Sequence, residues 1–331
     1  MRRIGVLMGF EQSDPDAQLL VLSVPGRARN LGWTEDNNLR IELRWATSDI
    51  ARHRVLAKEL VDLRPDAILS QTTPVTSALV HETRNIPIVF VNVADPIASG
   101  FAASPAHPGG NVTGFGLFES SMGGKWMELL KEIAPRTTSV SLLFNPATAV
   151  PVKIFMPSIQ AAASSFSMQA DAAPVDAKDE IEGVIAAQAR NPDGALIVMP
   201  DAFTTANREL IVTLAAHYSI PAIYNASFFV KSGGLIALGS DFVEQFHQAA
   251  GYIHRILKGE KPADLPVQQT TKVELSINLK IGFTYGPIAM RYSLFRTWPN
   301  PWEPDETAAF HRPSRQYGSD FAARGARAAG A

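Results

Sequence analysis

The sequence contains no cysteine, which excludes disulfides, thiolate metal ligands and cysteine nucleophiles. Its seven histidines include no pair spaced i, i+4 on a helix, so the spacing of a histidine metal site is missing too. We also find no phosphate-binding G-x-x-x-x-G-K-[ST], no dinucleotide-binding G-x-G-x-x-G and no nucleophile elbow G-x-S-x-G. The sequence therefore predicts a protein that is not an enzyme, with no catalytic residue, no metal and no cofactor.

Long apolar runs and an excess of one charge are lacking as well. No apolar stretch reaches the roughly 18 residues that a membrane-spanning helix needs. The 30 Lys and Arg residues nearly balance the 32 Asp and Glu residues, which gives no reason to expect a nucleic acid as partner. Arg2 and Arg3 precede only a short apolar run, which we interpret as a first strand rather than an export signal.

Strand-like and helix-like periodicities alternate through the first part of the chain. Strands are predicted over Arg3–Gly9, Leu39–Trp45, Asp66–Ser70 and Pro87–Val93, and helices over Asp16–Leu31, Ile50–Leu63 and Pro74–Thr83. This order is typical of a parallel sheet whose strands are joined by right-handed helical crossovers.

The same order recurs after residue 138. Strands are predicted over Ser139–Phe144, Met168–Pro174, Ala195–Met199 and Pro221–Tyr224, and helices over Val152–Ser165, Asp179–Arg190 and Asn207–His217. Short matches support the repeat, since Pro65–Leu69 corresponds to Pro192–Leu196. The predicted fold class is therefore α/β, with two similar doubly wound parallel-sheet lobes.

The lobes are expected to share a hinge of several strands. Pro105–Gly124 is rich in glycine and is interpreted as a connector, whereas Asp241–Lys258 is predicted as a helix and Pro266–Lys280 as extended chain. Repeated crossings of this kind permit hinge motion. We predict residues 1–113 plus 241–266 as the first lobe and 114–240 plus 267–280 as the second. Residues 281–331 are expected to form an atypical, poorly ordered tail.

Candidate binding residues follow from the rule that ligands of parallel sheets lie beyond the carboxyl ends of the strands. Thr72 and Thr73 precede Pro74, so their hydroxyls and the free N–H groups of the next helix suit a ligand carboxylate. Simple capping of that helix is the alternative. The further ligand-binding candidates lie after other strands, where the aspartates suit a ligand ammonium, with turn or cap chemistry as the alternative: Phe10, Asp95, Asn145, Asp201, Asn225 and Asp241.

Several motifs together resemble a known family. They are Arg3–Gly9, Asn30-Leu31-Gly32-Trp33, Ile86–Pro96, Pro108–Gly114, Leu129–Pro135, Phe144-Asn145-Pro146 and Ile256–Pro262. Over about residues 3–280 the chain resembles the ABC transporter substrate-binding proteins of the tryptophan/tyrosine-uptake type. This resemblance implies a type I periplasmic-binding-protein fold, a small, amino-acid-like ligand held between the lobes, and an ABC permease with its ATPase as partners.

The chain departs from the family at both ends. The resemblance implies a periplasmic protein, but the first strand begins at once, so a cytoplasmic location is expected if Met1 is the true start. After Lys280 the sequence no longer follows the family. Two other functions remain open at this point: the effector-sensing domain of a transcription regulator, and a doubly wound α/β enzyme.

Overall fold

The computed structural model describes residues 1–117, 119–149, 152–270, 272–279 and 307–313. Two parallel sheets, each flanked by helices, form two lobes, as the sequence predicts. The first lobe contains β1 Arg2–Met8, α1 Pro15–Asn30, β2 Leu39–Trp45, α2 Ile50–Asp62, β3 Ala67–Gln71, α3 Thr73–Glu82, β4 Ile88–Val93 and β5 Val112–Gly116.

The second lobe follows the same plan. It contains α4 Met122–Ile133, β6 Ser139–Phe144, α5 Val152–Ser165, β7 Gln169–Pro174, α6 Glu180–Ala189, β8 Gly194–Val198, α7 Ala202–Ala206, α8 Arg208–His217, β9 Ala222–Tyr224, α9 Ser227–Lys231 and β10 Ile236–Ser240. The chain then forms α10 Phe242–Leu257, β11 Gln268–Gln269, β12 Lys272–Asn278 and β13 Thr307–Pro313.

Strand order shows the likeness of the two lobes. The first sheet runs β11-β5-β4-β3-β1-β2 and the second β13-β12-β10-β9-β8-β6-β7, so five parallel strands take the same relative places in each. Every residue of β3, β4 and β8 is buried, because helices cover both faces of such sheets. These strands therefore appear in the sequence as short apolar runs.

The division between the lobes lies a few residues from the expected one. Val112–Gly116 pairs with β4 along its length, so the sheet continues past the expected boundary between residues 113 and 114. Gln268 and Gln269 pair with β5 in the first sheet, although residues 267–280 were expected in the second lobe. Of the expected tail, Thr307–Pro313 pairs antiparallel with β12 and so is not free of secondary structure, while 281–306 and 314–331 lie outside the described residues.

Helix α4 begins inside the stretch 105–124, which was predicted to be a connector, and continues past its end. Its second residue is Gly123, and a Cβ built there would lie 2.8 Å from the carbonyl oxygen of Phe155 on α5. The glycine is thus needed for close helix packing rather than for a flexible link. The two five-residue helices α7 and α9 were not predicted either.

Three crossings join the lobes, after β5, after β10 and after β11. Side chains fasten the crossings to one another: Ser240 Oγ donates to the Leu117 carbonyl at 2.6 Å, and Lys272 Nζ lies 2.7 Å from Asp241 Oδ2. Such a joint restricts the lobes to rotation about the crossings.

One buried histidine gives the first lobe a pH dependence. His53 on α2 is 3 % exposed, and its Nε2 bonds to the Thr47 carbonyl at 2.9 Å. Burial lowers the pKa of His53, against the opposing effects of that bond and of Asp49. Below the ordinary histidine pKa of about 6.5 the unfolded chain then binds more protons than the folded one. We expect the stability that the neutral, buried His53 contributes to be fully present above that pH and to be lost as the pH drops below it.

Denaturant unfolding between pH 5 and pH 8 measures this effect. The variant His53→Gln should show a flatter pH profile, and His81→Gln, which changes an exposed histidine, should keep the profile of the parent chain. A profile unchanged by His53→Gln would contradict the assignment.

Candidate functional site

The carboxyl ends of the strands in the two lobes face each other across a cleft. The ring of Phe10, which follows β1, meets the ring of Phe228 on α9 edge to face, with centroids 6.3 Å apart. Residues of both lobes also line one small pocket: Gly9, Phe10, Glu11, Asp14, Ser48, Ala202, Thr205 and Ala206. The predicted candidate Phe10 therefore lies in the cleft.

Ion pairs between Asp14 and Asp16 of the first lobe and Arg208 and Lys231 of the second cross the cleft beside these rings. Asp14 caps α1 by accepting from the N–H groups of Asp16 and Ala17 at 2.9 and 3.3 Å. Both oxygens of its carboxylate also accept from the Arg208 guanidinium of the second lobe, and the Nη2–Oδ1 distance is 3.0 Å. Lys231 Nζ lies 3.1 Å from Asp16 Oδ1. Water screens the attraction between Asp14 and Arg208 less than that of an exposed pair, because both side chains are buried.

The predicted threonine pair lies at the start of α3. Thr73 is buried, and its Oγ1 accepts from the Ala94 N–H at 3.0 Å. Thr72 makes no side-chain capping bond and has φ of 75°. Its hydroxyl lies against the end of β1, since a Cβ built on Gly9 would be only 2.7 Å from Thr72 Oγ1. The strained backbone at Thr72 holds this hydroxyl between the two strand ends.

Two buried amides that sequence reasoning missed flank the same strand ends. Gln71 Oε1 accepts from the Gly9 N–H at 3.2 Å, but Gln71 Nε2 has no hydrogen-bond partner among the described residues. Neither side-chain atom of Asn92 has one within that part of the chain, and its φ is 55°. Buried polar atoms without partners are costly, so they mark groups that suit a ligand.

Asp95 shows the chemistry of a turn. Its Oδ1 accepts from the Ala98 N–H at 2.9 Å, and the residue is only partly buried. One carboxylate oxygen of Asp95 thus stabilises the turn that follows β4, and the residue lies beyond the end of that strand.

In the second lobe, the predicted residues Asn145 and Asp201 bind each other. The Asn145 N–H donates to Asp201 Oδ2 at 2.8 Å, and Thr148 Oγ1 donates to Asp201 Oδ1. Asp201 also caps α7 through the Phe203 N–H at 3.0 Å. Burial raises the pKa of Asp201, and these hydrogen bonds oppose the shift. The cluster fixes the loops after β6 and β8 relative to one another.

The remaining two candidates lie apart from this cluster. Asn225 is buried after β9, and its Nδ2 donates to the Val198 carbonyl at 3.3 Å. Asp241 caps α10 through the Glu244 N–H at 3.0 Å and belongs to the interlobe crossing with Lys272. The structure therefore places Asp241 at the hinge.

The described part of the chain shows no cluster of three or more His, Asp or Glu side chains suited to a metal ion. In the same part, none of the helices combines the length and the apolar character needed to cross a membrane.

Comparison with known proteins decides the family. A model described as "ABC transporter substrate binding protein" matches residues 27–286. The chain belongs to this family. Proteins of this kind bind small ligands and work with a permease and its ATPase, typically outside the cytoplasm.

Individual relatives of this substrate-binding protein agree. The tyrosine-binding protein of Clostridioides difficile (strain R20291) is 26 % identical over 247 residues, which cover 75 % of this chain and 70 % of the relative. A conserved domain protein from Vibrio cholerae is 25 % identical with a TM-score of 0.79, over 86 % of this chain and 94 % of that one. An ABC domain from Streptococcus pneumonia in complex with L-Trp is 24 % identical with a TM-score of 0.78, over the same shares. The fold predicted from the sequence is thus confirmed as that of type I periplasmic binding proteins.

Proposed function

We propose that this chain captures a small, amino-acid-like solute in the cleft between its lobes and delivers it to an ABC permease with its ATPase. It performs no covalent chemistry on the solute. The observation that carries the proposal is the cleft itself, where side chains from the strand ends of both lobes meet in Phe10–Phe228 and Asp14–Arg208. A binding site whose side chains come from both lobes is complete only when the lobes close, so ligand binding is coupled to closure of the lobes.

The chemistry of the cleft favours an amino acid. It combines aromatic rings with a buried carboxylate, a buried guanidinium and the unpartnered amides of Gln71 and Asn92. Pockets that join an apolar wall to a few placed polar groups bind small molecules by orientation as well as by burial. The tyrosine-binding relative and the structure in complex with L-Trp support the same solute class.

The ligand contacts proposed from the sequence divide by position. Phe10, Thr72 and Thr73 lie at the strand ends of the first lobe, and we assign them direct contact with the solute. Asn145, Asp201 and Asn225 shape the facing loops of the second lobe. Asp95 lies at the edge of the site and Asp241 at the hinge, where their hydrogen bonds and ion pair hold the neighbouring loops in place.

A thermal-shift screen of the purified chain tests the function. The panel contains L-Tyr, L-Trp and other amino acids, organic acids and sugars. A solute present at 100 times its dissociation constant should stabilise the folded chain by about 2.7 kcal/mol. Stabilisation by sugars or organic acids and by no amino acid would overturn the proposed solute class.

Replacing both threonines tests the first-lobe contacts. The variant Thr72→Ala/Thr73→Ala should bind the best solute of the screen about 1–3 kcal/mol more weakly in calorimetry, since two hydroxyl hydrogen bonds to the solute are lost. Thr83→Ala, which changes a buried threonine at the far end of α3, is the matched control and should keep the affinity. Equal affinities of all three proteins would remove the threonines from the site.

A further inference from the structure

Arg208 has one guanidinium nitrogen, Nε, that makes no hydrogen bond within the described chain. Its Nη1 and Nη2 face Asp14, and Nη1 also donates to the Thr205 carbonyl at 3.3 Å. The adjacent edge carries Nε, which is buried and has no hydrogen-bond partner among the described residues. A guanidinium can hold carboxylates on two edges at once, because it has five donors in one plane.

The burial of Arg208 is unusual for a basic side chain. The residue is 9 % exposed, and within the described ranges no other Lys or Arg is buried. Buried cations are found paired or at functional sites, because an unpaired one loses its hydration. Asp14 and Asp16 pair with the two Nη groups, and Nε is left without a partner among the described residues.

The surroundings hold the guanidinium in a fixed plane. Its Cζ lies 5.5 Å from the centroid of the Phe228 ring, which itself meets Phe10 across the cleft. Asp16 Oδ2 lies 3.5 Å from Nη2 and also binds Lys231 through its carboxylate. Stacking on an aromatic face and bidentate pairing together orient an arginine strongly.

We propose that Nε of Arg208 binds the carboxylate of the solute and that Asp14 positions the guanidinium for it. This inference rests on the function proposed above. Arg208, Lys231, Asp14 and Asp16 sum to zero net charge, so a zwitterionic amino acid adds none, whereas an anion without an ammonium does. The geometry therefore selects amino acids over simple organic acids, and it places the charged contact on the second lobe, opposite Thr72 and Thr73.

Comparison of acids with their esters tests the contact. Calorimetry is performed with L-Tyr, L-Trp and the methyl ester of each, on the full chain. The parent protein should bind the acid about 10- to 100-fold more tightly than the ester, the range for a charge-assisted hydrogen bond. In Arg208→Gln this ratio should fall close to one. Arg208→Lys keeps the charge without the planar edge and should show an intermediate ratio, and it serves as the test if Arg208→Gln fails to fold.

Two further variants test the specificity of this effect. Lys58→Gln removes an exposed ion pair with Asp62 within α2 and should leave the acid-to-ester ratio unchanged. Asp14→Asn keeps a good cap for α1 but loses the charge that orients Arg208, and it should lower the ratio partly. If the Arg208 variants lose the same amount of affinity for the acid and for the ester, the inference is wrong. Arg208 would then contribute only to the contact between the closed lobes. A parent chain that binds no amino acid at all would overturn the proposed function, and this inference with it.

Discussion

Gly114→Ala is expected to unfold the first lobe or to lower its stability by about 3 kcal/mol or more. Gly114 lies in β5 with φ of 150°, and a Cβ there would lie 2.1 Å from the carbonyl oxygen of Phe90, its partner in β4. The clash involves backbone in the interior of a sheet, so no side-chain rotation relieves it. Denaturant unfolding followed by circular dichroism measures the change.

Gly251→Ala is the matched control for this substitution. Gly251 lies inside α10, and nothing comes within 4 Å of a Cβ built there. Alanine should therefore stabilise the chain by about 0.5–1 kcal/mol, through its higher helix propensity. A Gly114→Ala protein as stable as the parent would show that β5 is not held against β4 as described.

Trp126→Ala should destabilise the second lobe by about 3–5 kcal/mol. The side chain is 1 % exposed on α4, packs against the Phe155 ring at 5.1 Å between centroids, and donates from Nε1 to the Leu238 carbonyl at 2.8 Å. The substitution leaves a large cavity and an acceptor without its donor. Because Leu238 lies just before the second crossing, we also expect weaker coupling between the lobes.

Trp126→Phe distinguishes the two contributions. It keeps an aromatic ring in the core and removes the Nε1–H donor, so its cost should be smaller, on the order of 1–3 kcal/mol. Fluorescence-independent probes such as circular dichroism are needed, since the substitution removes a tryptophan. If Trp126→Ala and Trp126→Phe cost the same, packing by the indole contributes little and the assignment is wrong.

Periodicity predicted most of the fold because most elements obey it locally. Leu39–Trp45, Ser139–Phe144 and Val152–Ser165 have the predicted bounds. Helix α4 was not predicted, because Gly123 and Gly124 favour a turn when the local sequence is considered alone. The glycine at position 123 is explained only by the close packing of α5 against α4. The exact crossing points also depend on strand pairing between distant segments, which no local pattern records.

The candidate site could be predicted only in part. Thr72 and Phe10 follow strands and were found by that rule. Gln71 was not singled out although it follows the predicted strand, and Asn92 was taken to lie inside one. Arg208 was missed because a basic residue at the start of a helix is ordinarily exposed. Its partner Asp14 precedes it by 194 residues, and the sequence offers only the Asp14-Pro15 cap signal of α1.

The three crossings also determine the order in which the parts of each lobe emerge from the ribosome during synthesis. The core of the first lobe needs α10, whose Phe246 and Ile253 pack with Leu20 and Val24 of α1. Translation of the segment between Gly116 and Phe242 takes roughly 6–25 s at ordinary rates. During that interval the nascent first lobe exposes the apolar face that α10 later covers, while nearly all of the second lobe emerges behind it. The amino-terminal lobe of this protein is therefore synthesised first, but its core stays incomplete until α10 emerges, and chaperones can protect its apolar face during that interval.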